Sequence, residues 1–239
     1  MQNTNNSMLR ELQKEFRALA NPKKAKILAG FFKTGKGQYG EGDKFLGITV
    51  PQTRALVKKY WQMPMAETLE LLQSQFHEER LFALLVLVQK YEKGNQEARE
   101  KIFKLYLKNT KQINSWDLVD LTADRIVGNY LADKSKEILF KLAGSKILWE
   151  RRIAILATFY EIKNSRSEMT LALAEKLLSD KEDLMHKAVG WMLREVGKRC
   201  SQAEEEIFLK KYVKRMPRTM LRYAIERFEE EKRQGYLSL

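Results

Sequence analysis

The chain has 239 residues, of which 44% are hydrophobic and 31% are charged, values typical of a globular protein with a buried core. A single cysteine, Cys200, excludes an internal disulfide, and two histidines, His77 and His186, are too few for an ordinary zinc or iron site. The formal net charge of +13 favours a polyanionic partner: nucleic acid first, an acidic membrane surface or an acidic protein second.

The chain begins with a polar, uncharged stretch at residues 1–7 that no apolar segment follows, so we expect no secretory signal. The longest apolar runs, such as residues 84–88, are far too short to span a bilayer. The lone cysteine agrees with a reducing compartment. We therefore expect a cytoplasmic, monomeric protein without membrane attachment, bound metal or organic cofactor. A magnesium site held by carboxylates stays open, although no cluster of Asp and Glu indicates one.

Helical spacing dominates the chain from its first third to its end. Asn21 and Pro22 end one predicted helix and begin the next, because proline is tolerated only in a helix's first turn. Pro51 opens another helix, and Leu81, Leu84, Leu85 and Val88 then follow three-and-four spacing. Later boundaries are predicted at Ser115, Ser145, residues 179–180 and Pro217. No segment alternates with period two, so the sequence predicts an all-α fold.

A degenerate repeat runs through these helices. Segments around Ala83, Ala154, Ala188 and Ala224 align, with separations of 71, 34 and 36 residues. The first separation equals two repeats, and the helix that starts at Ser115 occupies the missing position. A period in the middle thirties predicts a stacked helical-repeat solenoid, one domain over residues 1–239, with a concave basic face suited to a long partner.

Basic residues are concentrated in two places. Lys101, Lys104, Lys108 and Lys111 form a stripe along one helix face, for which a solvated surface is the better interpretation. A C-terminal cluster contains no acidic residue between its ends and is the stronger candidate for phosphate contacts. Its members are Lys210, Lys211, Lys214, Arg215, Arg218 and Arg222.

The segment Ser115–Asp120 contains a candidate ligand site. Ser115 is a plausible N-cap, which places Trp116 and Asp120 on one helical face. Asp117 in the first turn is explained by the helix dipole, whereas Asp120 has apolar neighbours and no such explanation. A tryptophan beside a carboxylate suits a cationic ligand, although core packing of Trp116 accounts for the same spacing.

Two further segments carry candidate functional residues. Gly190 lies inside a predicted helix, where glycine costs about 1 kcal/mol relative to alanine, so we expect close approach by another helix or a ligand. Its neighbour Trp191 is either a core residue or a stacking platform. Arg151 and Arg152 place two guanidinium groups at the start of a repeat helix.

Together these segments resemble the AlkD family of alkylpurine DNA glycosylases, a HEAT-like-repeat family. The matching segments follow the family's order over nearly the whole chain. They are Phe45–Ile48 followed by Pro51, then residues 115–120, 149–156 and 187–195.

The resemblance implies roles for individual residues. Trp116 and Trp191 look like the aromatic pair that faces the damaged nucleotide, and Asp120 looks like the catalytic carboxylate. Arg152 looks like the arginine that holds the DNA backbone. Where the family has a tyrosine, this chain has Phe31 or Phe32, so the ring is kept and the hydroxyl is lost. The remaining candidates for contacts with DNA are Lys187, Arg194 and Arg218.

The implied activity is removal of alkylated purines of the 3-methyladenine and 7-methylguanine type from double-stranded DNA, in base excision repair. Such bases are positively charged and depart as neutral molecules, so no general acid is required. Positive charge develops on the deoxyribose, and the expected role of Asp120 is to stabilise it or to orient a water molecule. The main alternative is a non-catalytic HEAT-like protein that binds distorted or branched DNA. A third interpretation is a protein-interaction scaffold that binds an acidic partner protein.

Overall fold

The computed structural model describes residues 8–239. Residues 1–7, on which the expected absence of a secretory signal depends, lie outside the described residues. The chain divides into two compact units, Met1–Leu118 and Val119–Leu239. The expectation of one repeat domain over residues 1–239 stays a prediction.

The first unit is built from helices whose apolar faces pack on one another. The helix at His77–Lys93 is its centre, because it packs against the two helices before it and the one after it. The elements are α1 (Met8–Leu19), α2 (Pro22–Phe31), α3 (Val50–Tyr60), α4 (Met65–Leu72), α5 (His77–Lys93) and α6 (Gln96–Lys108).

A one-turn helix, α7 (Trp116–Asp120), contains the division between the two units. In the second unit a π-helical turn at Asp124–Gly128 comes first, and the long helix at Asp183–Arg199 is the centre of the packing. The elements are α8 (Glu137–Ala143), α9 (Leu148–Ala157), α10 (Phe159–Lys163), α11 (Glu168–Lys176), α12 (Asp183–Arg199), α13 (Gln202–Tyr212), α14 (Arg218–Ala224) and α15 (Glu230–Leu237).

The all-helical fold class is confirmed. Over residues 8–239 the structure has no β-strand, and its one isolated bridge joins Lys44 to Phe76. The predicted break at Asn21 is present, because the Asn21 side chain accepts a hydrogen bond from the Lys24 amide and Pro22 begins α2. Pro51 lies in the first turn of α3 as expected. None of the helices described is long and apolar enough to cross a membrane.

The predicted repeat is visible in the packing. The four aligned alanines, Ala83, Ala154, Ala188 and Ala224, are all fully buried. Ahead of Ala83 and Ala154, the same network of side-chain hydrogen bonds holds the start of the repeat helix, and its members are 71 residues apart. Its members are Ser74, Glu79 and Arg80 in the first unit and Ser145, Glu150 and Arg151 in the second.

In both networks the serine hydroxyl donates to the glutamate and accepts the amide two residues further on, at 3.0 Å. The arginine donates from Nη1 to the serine carbonyl, at 2.9 Å in the first unit and 3.1 Å in the second. Before Ala188 the network is only partly kept: Nε2 of His186, which stands one position closer to its alanine than the two arginines do, lies 2.6 Å from the carbonyl oxygen of Asp180. The repeat therefore extends beyond buried alanines to the hydrogen bonds that begin each helix.

Candidate functional site

Asp120 is held by an arginine from the neighbouring repeat helix. Arg152, in the first half of α9, donates from Nε to Oδ1 and from Nη2 to Oδ2 of Asp120, both at 2.8 Å. Its Nη1 donates to the carbonyl oxygen of Leu184 at 2.5 Å. Arg152 is only 4% exposed, and the Asp120 side chain is 15% exposed. A guanidinium with a permanent positive charge and a planar fork of donors fixes the position of the carboxylate.

This arrangement bears on the expected role of Arg152. The resemblance implies that Arg152 holds the DNA backbone, and in the structure its three nitrogens donate to Asp120 and Leu184. Its buried side chain orients the carboxylate within the second unit. Contact between Arg152 and DNA stays a prediction.

Trp191 lies on α12 beside a glycine that lets two helices approach closely. Its ring is half-buried, with its centroid 5.9 Å from that of Phe159. A Cβ built on Gly190 would overlap the carbonyl oxygen of Met220 and would lie 2.6 Å from Cβ of Tyr223. The expectation of a close approach at Gly190 is therefore confirmed, and the approaching element is α14.

The other basic candidates of the second unit all have acceptors within the protein. Lys187 forms an ion pair with Asp183 at 2.7 Å, and Arg218 donates from Nη2 to the carbonyl oxygen of Leu237 at 2.6 Å. Arg194 pairs with Glu226 and with its own neighbour in the chain, the buried Glu195. Their contacts with DNA stay predictions.

In the first unit, Trp116 belongs to a stack of aromatic rings. Phe32 stacks on Trp116 with ring centroids 5.3 Å apart. Its ring also contacts those of Phe45 and His77, at centroid distances of 5.1 and 4.9 Å. Phe31 makes a T-shaped contact with Trp116, with ring centroids 6.0 Å apart, and is 62% exposed. Both phenylalanines proposed for the family's tyrosine therefore contact Trp116, and Phe31 is the one that reaches solvent.

The imidazole of His77 in this stack lies between two carboxylates. Its Nε2 is 2.8 Å from Oδ2 of Asp117, and its Nδ1 is 3.3 Å from Oδ2 of Asp43. Burial opposes protonation of His77, but the hydrogen bonds to Asp117 and Asp43 outweigh it and raise its pKa from 6.5 to about 9. Asp43 also accepts from Arg80 and Asn114. The first unit thus contains a buried network with a protonated histidine at its centre.

This network corrects the expectation for Asp117 and Ser115. Asp117 is buried and hydrogen-bonded to His77, so its charge serves a tertiary ion pair as well as the helix terminus. Although α7 does begin after Ser115, the Ser115 hydroxyl is buried without a hydrogen-bond partner, so the predicted cap is not formed. In the sequence, His77 was considered only as a possible metal ligand, and its role in this network was missed. No local motif could have indicated it, because Asp43 and Asp117 lie far from His77 along the chain.

The segment Phe45–Ile48 has a structural explanation in the same unit. The buried carboxylate of Glu78 accepts the backbone amides of Leu46, Gly47 and Ile48 at 2.9, 2.8 and 3.2 Å. Gly47 has a φ of 82°, and a Cβ there would lie 2.7 Å from the amide nitrogen of Ala25. Only glycine fits this position, which joins the loop to the start of α5.

Within residues 8–239, no three His, Cys, Asp or Glu side chains are grouped so that they would hold a metal ion. Independence from metals stays a prediction. In the second unit the structure places a fixed carboxylate, Asp120, and a half-buried aromatic ring, Trp191.

Comparisons with known proteins agree with the resemblance seen in the sequence. A protein described as "Predicted DNA alkylation repair enzyme from Enterococcus faecalis" has a similar structure, with a TM-score of 0.67 and 18% identity. The match covers 88% of this chain and 97% of that protein. No curated protein sequence matches the chain significantly. The family model for the DNA alkylation repair enzyme matches residues 12–228, and the chain therefore belongs to this family.

Proposed function

We propose that this protein is a DNA glycosylase that removes positively charged alkylated purines from double-stranded DNA. The observation that carries the proposal is the two-point contact of Arg152 with Asp120. It fixes a carboxylate at a partly exposed position in a protein of the DNA alkylation repair family. The net charge of +13 supports a polyanionic partner.

The proposed reaction requires no general acid. Alkylation at a ring nitrogen gives the purine a positive charge, so the base departs neutral when the N-glycosidic bond breaks. Positive charge then develops on the deoxyribose, and the fixed carboxylate of Asp120 stabilises it or orients the attacking water. Trp116 and Trp191 supply aromatic faces that attract the charged base and sugar.

The proposal extends to the setting of the reaction. The protein acts as a cytoplasmic monomer in base excision repair, without metal or organic cofactor. It contacts DNA through phosphates and reads little sequence, because phosphate contacts position a protein on the duplex without specifying a base. Phe31, Arg152, Lys187, Arg194 and Arg218 are the proposed contacts.

The decisive experiment measures the release of free 3-methyladenine and 7-methylguanine from a methylated duplex by the wild-type protein, with and without excess chelator. Release in both conditions supports a metal-independent glycosylase. Binding of distorted or branched DNA without release of base contradicts the proposed activity and indicates the non-catalytic alternative. Failure to bind DNA at all would leave the acidic-protein scaffold as the better interpretation.

A further inference from the structure

A polar cavity lies in the second unit, formed by the end of α12, the start of α13 and the segment that follows α14. Its volume is about 280 Å³. We refer to it as the Arg194 cavity. Its lining includes three basic side chains and one carboxyl group: Arg194, Lys198, Arg227 and Glu205.

Glu205 is the unusual member of this lining. It is 2% exposed, and its Oε1 is buried without a hydrogen-bond partner. Its carboxyl group lies directly over Gly197, in the space that the Cβ of any other residue would occupy. A buried polar atom without a protein partner is costly unless water or a ligand satisfies it, so Glu205 is a candidate contact for a group bound in the cavity.

Arg194 is held so that part of its guanidinium has no partner. Its Nη1 pairs with Glu226, which is 59% exposed, and its Nη2 is 3.5 Å from Glu195. Its Nε is buried without a hydrogen-bond partner. The first residue of α13, Gln202, also lines the cavity, so the positive end of that helix dipole lies beside the three cations.

We propose that the Arg194 cavity binds a tetrahedral oxyanion, such as a phosphate group, through Arg194, Lys198 and Arg227, with the carboxyl group of Glu205 as a further hydrogen-bond partner. Lys198, Arg227 and a helix N-terminus suit an oxyanion, and Arg194 adds the part of its guanidinium that Glu226 and Glu195 do not bind. The ligand is either free phosphate or a phosphate of the DNA backbone. The inference does not depend on the proposed glycosylase activity.

The protonation state of Glu205 gives the site a pH dependence. Burial, with a smaller contribution from Glu206, raises the pKa of Glu205 from 4.5 to about 8, against the opposing effects of Lys232 and Arg194. The phenol of Tyr236 also faces this group, and its own pKa is raised by burial. At neutral pH Glu205 is therefore a neutral acid that donates to an oxyanion, and above about pH 8 it becomes an anion that repels one.

Sulfate is the appropriate probe, because it stays a dianion throughout this range whereas phosphate itself titrates. We expect calorimetry to show saturable binding to the wild-type protein at about pH 7, and affinity at least about tenfold lower at about pH 9.5. Proton uptake should accompany binding near pH 8, and two buffers of different ionisation enthalpy measure it. Glu205→Gln keeps a neutral donor, so it should bind sulfate equally at both pH values without proton uptake.

The double variant Lys198→Ala/Arg227→Ala tests the cavity itself. It should lose sulfate binding at both pH values, whereas a matched pair of exposed lysines outside the cavity, Lys141→Ala/Lys181→Ala, should not. Circular dichroism and thermal unfolding confirm that each variant is folded. Absence of sulfate binding by the wild-type protein, or equal binding by the two double variants, would overturn the proposal. An unchanged pH dependence in Glu205→Gln would overturn the role given to Glu205.

Short duplex DNA identifies the source of the phosphate. If sulfate competes with DNA and the cavity variant binds DNA more weakly than the matched control, the ligand is a backbone phosphate. If DNA binding is the same in both double variants while sulfate binding is lost in one, the ligand is a free oxyanion. Both outcomes support the same chemistry at the cavity.

Discussion

Arg152 and Asp120 form a two-point ion pair, with Nε on Oδ1 and Nη2 on Oδ2, both at 2.8 Å. The arginine is almost completely buried, so the carboxylate compensates a charge that has little contact with water. The same carboxylate is the proposed catalytic group. A substitution at Asp120 therefore affects folding and chemistry together, and an experiment has to measure both.

We expect Asp120→Asn to lower the rate of base release by roughly two to three orders of magnitude, the usual scale for one electrostatic catalytic group. The amide keeps the size of the side chain but removes the charge that faces the developing cation. Single-turnover release from methylated duplex DNA, below the melting temperature of the variant, measures the effect. Release at the wild-type rate by folded Asp120→Asn would show that the assignment of this residue is wrong.

The matched control is Asp133→Asn, which removes the same charge from an exposed position in the same unit. It should change neither the melting temperature nor the rate appreciably, since surface substitutions usually shift stability within about 0.5 kcal/mol. Asp117→Asn, an obvious choice from the sequence, is not a mild control, because Asp117 is buried and paired with His77.

The ion pair also predicts strong coupling in stability. Arg152→Met removes both hydrogen bonds to the carboxylate of Asp120 and should cost about 3–5 kcal/mol of unfolding free energy. The double variant Arg152→Met/Asp120→Asn should cost clearly less than the sum of the two single changes. Urea unfolding of the four proteins measures the coupling, and additivity within about 0.5 kcal/mol would contradict it.

The parts of the fold that the sequence predicts correctly are those set by local chemistry. Pro22 and Pro51 lie in the first turns of α2 and α3 because a proline ring fits a helix only there. The buried alanines recur because each repeat has to pack on the next, so the repeat could be found from spacing alone. Gly190 indicated a close helix contact, since glycine is costly in a helix without one.

The pairings that the sequence does not reveal are long-range. His77 meets Asp43 and Asp117, which lie 34 and 40 residues away, and Arg152 meets Asp120 at 32 residues. Such partners are chosen by how helices pack, and no local pattern encodes them. A local pattern can also mislead: the position of Ser115 in the sequence suits an N-cap, but its hydroxyl makes no hydrogen bond.

Gly190→Ala should destabilise the protein. The added Cβ would overlap the carbonyl oxygen of Met220, which is backbone and cannot rotate away, so α12 and α14 would have to separate. Overpacking of this kind typically costs about 1–3 kcal/mol. The control is Gly235→Ala in α15, where nothing lies within 4 Å of a new Cβ and alanine should stabilise by about 0.4–1 kcal/mol. Thermal unfolding distinguishes the two, and equal melting temperatures would contradict the packing argument.

The buried histidine predicts a loss of stability in mild alkali. Folding raises the pKa of His77 from 6.5 to about 9, so the folded protein holds this proton more tightly than the unfolded chain does. The stabilisation is complete below about pH 6.5 and is lost as the pH rises through about 9, at roughly 1.4 kcal/mol for each pKa unit. Folding also raises the pKa of Glu205, from 4.5 to about 8, so this group too makes the protein less stable as the pH rises. The measurement therefore uses a Glu205→Gln background. Urea unfolding of that protein should show a falling free energy between about pH 7 and 9, and His77→Gln in the same background should abolish most of the fall while lowering stability at neutral pH. An equal fall in both proteins would mean that His77 is not protonated between its two carboxylates.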